Sequence, residues 1–432
     1  MLGFLLALSF LTYFDRVCLV RVQGEVRADL GLTTEQFGVV LGAFWLAYAL
    51  FEIPGGWLGD RFGSRGTLTR IVLAWSAGTL LTGLATGFHS LLAFRFLFGV
   101  GEAGAYPNMA RIQERWFPPE ARARAGGWLW LAARWGGAFA PFLFAELIRL
   151  VDAPMTRRYL PFLAAEEGWR LGFWVAGIVG LVWAGLFCWR FRDDPAAHPG
   201  VNAAELALIR SGRAAEGDGG SHAASAGVWR ALLTSRNLWA LTALYFLANF
   251  GWSFFVSWMP RYLLDVHKVR FEASESLWKQ PLFYGGISCL VGGVLCDRLV
   301  RAPGWRRVGR ALFPVAGLTT AAAAMFGARF ASRPEWAIAL ICVAGAAYDF
   351  GQAANWATIV DVGGRHAGIA MGFINMMSNL SNAIQPVVGA WVFERFGWPA
   401  LFSVYAAAFL LAASMWLFID PRRPFHAEGQ PS

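Results

Sequence analysis

The chain is 432 residues long, 57% hydrophobic and only 15% charged, with a mean hydropathy of +0.46. A soluble domain keeps about a quarter of its residues charged, so this chain cannot cover itself with a polar skin. The net charge of +9 would suit a nucleic-acid partner, but most of the arginines sit in short loops between apolar runs, where topology determinants lie. No nucleic-acid partner is expected.

Apolar runs of about 20 residues, the length that crosses roughly 30 Å of hydrocarbon, fall near 1–21, 37–59, 68–88, 91–112, 125–149, 169–190, 238–263, 281–300, 309–328, 336–358, 367–392 and 398–419. The reading is an all-α integral membrane protein with twelve transmembrane helices. An even number of spans puts both termini on one side. Arginines cluster in alternate loops (Arg61, Arg65 and Arg70; Arg111, Arg115, Arg122 and Arg124; Arg298, Arg301, Arg306, Arg307 and Arg310; Arg422 and Arg423), whereas the opposite loops mix them with Glu25, Asp29, Glu166 and Glu167. By the positive-inside rule the termini are cytoplasmic. The first span starts at Met1 with no basic segment before it, which fits a start codon lying upstream. It is not a cleaved signal peptide, because Asp15 and Arg16 sit inside it.

The five cysteines, Cys18, Cys188, Cys289, Cys296 and Cys342, are odd in number and lie in or beside apolar runs. They read as buried small residues rather than as disulfides or metal ligands. Only Lys268 and Lys279 accompany the many arginines, as GC-rich bacterial coding produces, and a bacterial inner membrane is the expected location.

One long polar stretch, 192–236, separates an N-terminal bundle (1–191) from a C-terminal bundle (237–420) and a short tail (421–432). Its Gly/Ala/Ser-rich part, Ser211 to Gly227, has the composition of a flexible linker. An internal repeat supports the division into six and six spans. Gly55-Gly56-Trp57-Leu58-Gly59-Asp60-Arg61 recurs as Gly292-Gly293-Val294-Leu295-Cys296-Asp297-Arg298, and Glu167-Gly168-Trp169 is echoed by Phe396-Gly397-Trp398. Two parallel six-helix halves that meet at a midplane site are a recurring transporter plan.

Gly59-Asp60-Arg61-Phe62-Gly63-Ser64-Arg65 resembles the loop signature of the major facilitator superfamily. Its glycines permit a tight turn, and its Asp and Arg can pair with charges or helix ends nearby. Tyr13-Phe14-Asp15-Arg16, Arg95 through Gly99 to Glu102-Ala103 and Pro107, His198-Pro199-Gly200-Val201-Asn202, Trp258-Met259-Pro260 with Tyr262-Leu263, and Asn375-Met376-Met377-Ser378-Asn379 resemble the anion:cation symporter family. That family includes bacterial importers of galactonate, hexuronate and glucarate and vesicular glutamate carriers. The resemblance implies two pseudo-symmetric six-helix bundles around a central cavity. Glu52, before the Ile-Pro-Gly-Gly run, and Arg134, inside span five, depart from the sugar-acid importers.

A charge at mid-bilayer costs about 2.5–3.5 kcal/mol on insertion scales, so such residues face a partner or a wet cavity. Arg95 and Glu102 are seven residues apart, two helical turns, and share one face of span four. Asp15 and Arg16 are adjacent and point about 100° apart. The arginines can bind a carboxylate through a planar fork, and buried carboxyls can carry protons. Spacing alone leaves equally open that the four charges neutralise one another and orient the helices. The family resemblance implies anion recognition at Arg95 and, to a lesser degree, at Arg16, and proton coupling at Asp15 and Glu102.

Tyr13, Tyr48, Asn375 and Asn379 have donors and acceptors suited either to substrate hydroxyls or to bonds between helices. Glu52, eight residues before Asp60, reads as a gating or structural salt bridge. Arg134 needs either a second substrate carboxylate or, the favoured alternative, an acid on a neighbouring helix. Asp349 and Asn355 have no assigned role, and Asp361 reads as structural.

The leading expectation is a proton-coupled importer of a sugar acid or related carboxylate, active as a monomer in the bilayer, with no cofactor beyond the proton. An aromatic-acid or dicarboxylate carrier and an antiporter are the alternatives of the same fold. A transporter-derived sensor is the alternative of another class. An enzyme is not expected, because no metal-ligand cluster, nucleophile–base spacing or phosphate loop is present in the sequence.

Overall fold

In hydrocarbon every backbone N–H and C=O must be bonded inside the protein, so long apolar runs fold as helices. The computed structural model describes residues 1–151, 168–210, 226–268, 271–302 and 304–423, and no strand forms among them. The loop with Glu166 and Glu167, the Gly/Ala/Ser-rich linker over 211–225 and the last residues of the tail lie outside the described residues.

The first bundle consists of α1 (Leu2–Arg21), a short α2 (Gln23–Asp29), α3 (Thr34–Phe62), α4 (Ser64–Thr82), α5 (Phe88–Glu102), α6 (Ala105–Trp116), α7 (Arg122–Val151) and α8 (Gly168–Arg190). Two linker helices follow, α9 (Ala203–Arg210) and α10 (Ala226–Thr234). The second bundle holds α11 (Arg236–Ser257), α12 (Met259–His267), α13 (Phe271–Val300), α14 (Arg306–Ala328), α15 (Pro334–Gly363) and α16 (Ala367–Ser414). Gly397, at φ 72°, breaks α16 into spans eleven and twelve.

Among the described residues, eight stretches are long and apolar enough to cross a membrane, and the longest, Pro334–Leu417, contains spans ten to twelve. Spans three and four are the exceptions, for physical reasons. Span three, α4, carries Arg65, Arg70 and several hydroxyls. Span four, expected as one run over 91–112, is two helices, α5 and α6, broken at Gly104. Gly104 has φ +88°, and a Cβ there would lie 2.7 Å from the Cα of Gly55. Both the turn and the close approach of α3 require glycine. Span three begins at Ser64 rather than 68, because Gly63 at φ +85° turns the chain straight from α3 into α4. The carboxylate of Asp193, far along the chain, accepts from the Ser64 N–H at 2.6 Å and the Arg65 N–H at 3.1 Å. This cap comes from the linker, so local sequence does not reveal it.

The described ends of the linker are ordered. Ile209 and Leu232 are buried in the main core, with Val201 packed against it. His198 sets its ring edgewise on Trp116, and Asn202 caps α9 by accepting from the Glu205 N–H.

At the end carrying Met1 and the close of span twelve, here termed basal, the duplicated signature joins the bundles. Asp60 accepts from the Ile369 N–H at the start of α16 at 2.8 Å and pairs with Arg111 at 2.7 Å. Asp297, its counterpart, accepts from the Ala123 and Arg124 N–H groups at the start of α7 and pairs with Arg310 at 3.2 Å. Each acid thus caps a helix N-terminus of the opposite bundle, where an anion is favoured by unpaired N–H groups and the helix dipole. Asp361 joins the same seam, holding Arg122 at 2.7 Å, Arg310 at 3.2 Å and Arg306 at 3.4 Å. Gln113 accepts from the Trp356 indole across the interface. The arginines that follow the two signature acids are less engaged: Arg61 lies over the Trp57 and Phe62 rings and Arg298 is exposed. Arg65 donates to the Cys188 carbonyl at 2.7 and 2.9 Å, and Gly59 lets α3 approach Asn108 of α6.

Candidate functional site

Near the middle of the first bundle, α1 and α5 bring four charges together. Arg16 Nε donates to Glu102 Oε1 at 2.8 Å. The seven-residue spacing on α5 puts Arg95 and Glu102 on one face, and the ion pair that Glu102 makes is to Arg16 across helices, from α1 to α5. Helix α5 ends at Glu102, whose carboxylate is fully buried while its partner Arg16 keeps 12% of its side chain exposed. Arg16 is surrounded by rings, 4.4 Å from the Tyr48 centroid and 5.5–5.6 Å from those of Tyr13, Phe44 and Trp45. Such faces hold a guanidinium by cation–π attraction without neutralising it.

Arg95 lies deeper, only 1% exposed, with its guanidinium 4.2 Å from the Phe98 centroid and 5.3 Å from that of Phe44. It interacts electrostatically with both Glu102 and Asp15, and Asp15 is itself buried. Among the described residues, Asp15 Oδ1, Arg16 Nη2, Arg95 Nε and Nη1, and Glu102 Oε2 are buried without a hydrogen-bond partner. Native interiors leave few such atoms unpaired, and a concentration of them marks a functional cluster. With all four groups ionised, two cations and two anions leave the quartet with no net charge.

A second buried ion pair links the bundles. Arg134 of α7 donates to both carboxylate oxygens of Asp349 on α15, from Nη2 at 2.7 Å and from Nε at 3.0 and 3.2 Å. The Trp252 and Trp130 rings lie 4.7 and 5.2 Å from the guanidinium. Asp349, which had no assigned role, is thus the acid on a neighbouring helix that Arg134 needed. Tyr348, Gln352 and Asn355 continue this polar strip: Gln352 donates to the Tyr348 hydroxyl and accepts from Asn355 at 3.1 Å. Asp349, Gln352 and Asn355, at i, i+3 and i+6 in an apolar helix, were the signal for it. Tyr13 is within electrostatic reach of both Arg16 and Arg134.

Removing one member of the Arg134–Asp349 pair should cost roughly 3–5 kcal/mol, because the other is left charged and buried. Arg134→Met should therefore lower the thermal unfolding temperature sharply, and Arg134→Met with Asp349→Leu should recover most of the loss. Equal temperatures for the single and double variants would contradict a neutralising pair.

Glu52 is fully buried on α3 and faces the second bundle, where it accepts from Asn379 Nδ2 at 3.0 Å. No ion pair reaches it among the described residues, which corrects the expected salt bridge: its partner is an amide. Asn379 also donates to the Asn375 carbonyl at 3.0 Å, so one amide ties Glu52 to the backbone of α16. Tyr13, Arg16, Asn375 and Asn379 are partly exposed and Tyr48 is buried. Among the described residues, the inter-bundle hydrogen bonds and ion pairs run from the basal seam up to Glu52–Asn379 and Arg134–Asp349. No metal-binding cluster occurs among them.

Comparison with known proteins places this arrangement. The Major Facilitator Superfamily model matches residues 5–386 and 304–432. A relative from Cupriavidus necator named as a probable sulfoacetate transporter is 31% identical over 97% of this chain and 93% of its own length. A Bacillus subtilis protein named as a probable galactarate/D-glucarate transporter is 28% identical over 96% of this chain and 90% of its own. The Escherichia coli O6:H1 D-galactonate transporter is 27% identical over 94% and 92%. Among solved structures, the fold is similar to the human organic anion transporter MFSD10 (TM-score 0.70, 15% identity, covering 96% of this chain and 98% of that one). It is also similar to the transporter FucP in its outward conformation (TM-score 0.71, 14% identity, covering 96% and 98%). These proteins are transporters and not enzymes, and the chain is a multi-pass membrane protein that belongs to the major facilitator superfamily.

Proposed function

We propose that this chain imports a small organic anion together with protons, by alternating access. The observation that carries the reading is the neutral but unsaturated quartet of Asp15, Arg16, Arg95 and Glu102. An anion that enters it brings at least one uncompensated negative charge into a low-dielectric interior, which is costly. Arg16, ringed by aromatic faces and partly exposed, is the first cation the anion meets. When a carboxylate or sulfonate takes the Arg16 fork, Glu102 loses its partner, and a buried carboxylate without a cation takes up a proton. The proton offsets one negative charge, which restores neutrality for a monoanion such as D-galactonate and leaves one charge for a dianion such as sulfoacetate or D-glucarate, and anion and proton move together. Arg95 lies behind the pair, where it interacts electrostatically with both Asp15 and Glu102.

The sealed basal end, with Asp60 and Asp297 capping helices of the opposite bundle, is the closed gate of an outward-facing state. Opening that end releases the anion, Glu102 regains Arg16, and the proton leaves on the same side. Tyr13, Tyr48 and Asn375 orient the rest of the substrate. The relatives' names give the substrate class to test, short anionic acids with a carboxylate or sulfonate. The termini and linker lie in the cytoplasm, the location is a bacterial inner membrane, and one copy is sufficient.

The test is thermal stabilisation of the purified protein by sulfoacetate, D-galactonate and D-glucarate, followed by uptake of the stabilising anion into proteoliposomes. The expected result is accumulation when the lumen is alkaline and none without a pH gradient. Stabilisation with no transport under either condition would favour a sensor and overturn the proposal.

A further inference from the structure

At the basal end of the second bundle, away from the quartet, a cavity of about 380 Å³ opens between the starts of α11 and α14 and the close of span twelve. It is lined by Ser235, Arg236, Asn237, Arg307, Leu417, Phe418, Ile419, Asp420 and Arg423. We propose that it binds the phosphate of an anionic membrane phospholipid, with the acyl chains running along the outer face of span twelve.

Three guanidinium groups face one carboxylate here, and that carboxylate is already committed. Asp420 accepts two bonds from Arg422 at 3.0 Å and pairs with Arg423 at 3.6 Å. Arg236 and Arg307 are exposed and make no ion pair among the described residues, although Arg307 interacts electrostatically with Asp420; Arg236 lies 5.1 Å from the Phe418 centroid. Helices α11 and α14 both begin beside the cavity, at Arg236 and Arg306; the Ser235 hydroxyl caps α11 by accepting from the Leu238 N–H, and α14 has no side-chain cap. The uncapped N–H groups of α14 and the dipoles of both helices add to the attraction for an anion. Asn237 fixes the far wall by donating to the Asp420 and Arg423 carbonyls at 2.9 Å and accepting from the Asp420 N–H at 2.8 Å.

What separates a lipid from a free phosphate is the rest of the lining. Leu417 is 73% exposed and Phe418 45%, and Val308 and Leu312 continue an exposed apolar strip up α14. A polar, cationic mouth that passes directly into an apolar outer face suits an amphiphile, and basic pockets between helices at the cytoplasmic surface are where anionic headgroups bind.

The delipidated full-length protein would be titrated with phosphatidylglycerol, phosphatidylcholine and inorganic phosphate, with bound lipid counted by native mass spectrometry and stability by thermal unfolding. Phosphatidylglycerol should bind and stabilise; phosphatidylcholine and inorganic phosphate should not. The double variant Arg236→Gln, Arg307→Gln should weaken phosphatidylglycerol binding roughly thirtyfold, since each basic side chain at a membrane surface contributes about a fivefold factor. The control Arg149→Gln, at an exposed arginine on the opposite end, should leave it unchanged. Unaltered binding to the double variant, equal binding of phosphatidylcholine, or stabilisation by inorganic phosphate alone would overturn the lipid assignment.

Discussion

Glu102→Gln should abolish accumulation of substrate against its gradient while leaving exchange of internal for external anion intact. Glutamine keeps the size and the acceptor oxygen that faces Arg16 at 2.8 Å, so the helices stay in place. It holds no exchangeable charge, so the anion binds an Arg16 that no longer needs to be freed from an ion pair. Affinity should therefore hold or rise, and pH should cease to influence it. The measurement is counterflow and gradient-driven uptake in the same proteoliposome preparation. Retained accumulation in Glu102→Gln would move proton coupling to Asp15 or, failing that, to Glu52.

Arg16→Ala should be more damaging, losing binding itself. Removing one partner of a buried, hydrogen-bonded charge pair costs roughly 2–5 kcal/mol, a factor of about 30 to 5,000 in affinity. Here the variant loses the anion's fork and also leaves Glu102 without its cation. Arg16→Lys should fall between, since an ammonium keeps the charge but not the bidentate geometry or the flat stacking against Tyr48 at 4.4 Å. Arg95→Ala should act differently. Its head is sealed between Phe98 and Phe44, so the loss falls first on the positive field it sets at Asp15 and Glu102, and the pH dependence of uptake should shift along with affinity. Anion binding measured by thermal shift or calorimetry separates the variants. Wild-type affinity in Arg16→Ala would remove Arg16 from the anion site.

Much of this architecture is legible in the residues. Apolar runs, alternating arginine loops and the duplicated Gly-Gly-x-x-x-Asp-Arg segment give the number of spans, because hydrocarbon permits few alternatives. Which charge meets which is far less legible. Spacing along one helix showed that Arg95 and Glu102 share a face, but the ion pair that forms is Arg16 with Glu102, across two helices whose relative rotation no single segment encodes. Arg134 advertised a need for an acid without naming it, and Asp349 is more than 200 residues away along the chain. Glu52 read as a salt bridge because acids beside a cytoplasmic helix end commonly find cations; in the fold it faces α16, where an asparagine is the available donor. The break at Gly104 was hidden because apolar residues continue through it, and only the crossing of α3 at Gly55 explains it.

The central claim is that the anion displaces Glu102 from Arg16 and that a proton fills the vacated charge. Proton uptake on binding tests it most directly. The purified protein, in weakly buffered solution with a pH indicator, would be mixed with whichever of sulfoacetate, D-galactonate or D-glucarate stabilises it. A proton taken up with each anion bound is the expected result for the wild type, with none for Glu102→Gln at matched occupancy. Saturable anion binding to the wild type with no proton uptake would contradict the mechanism.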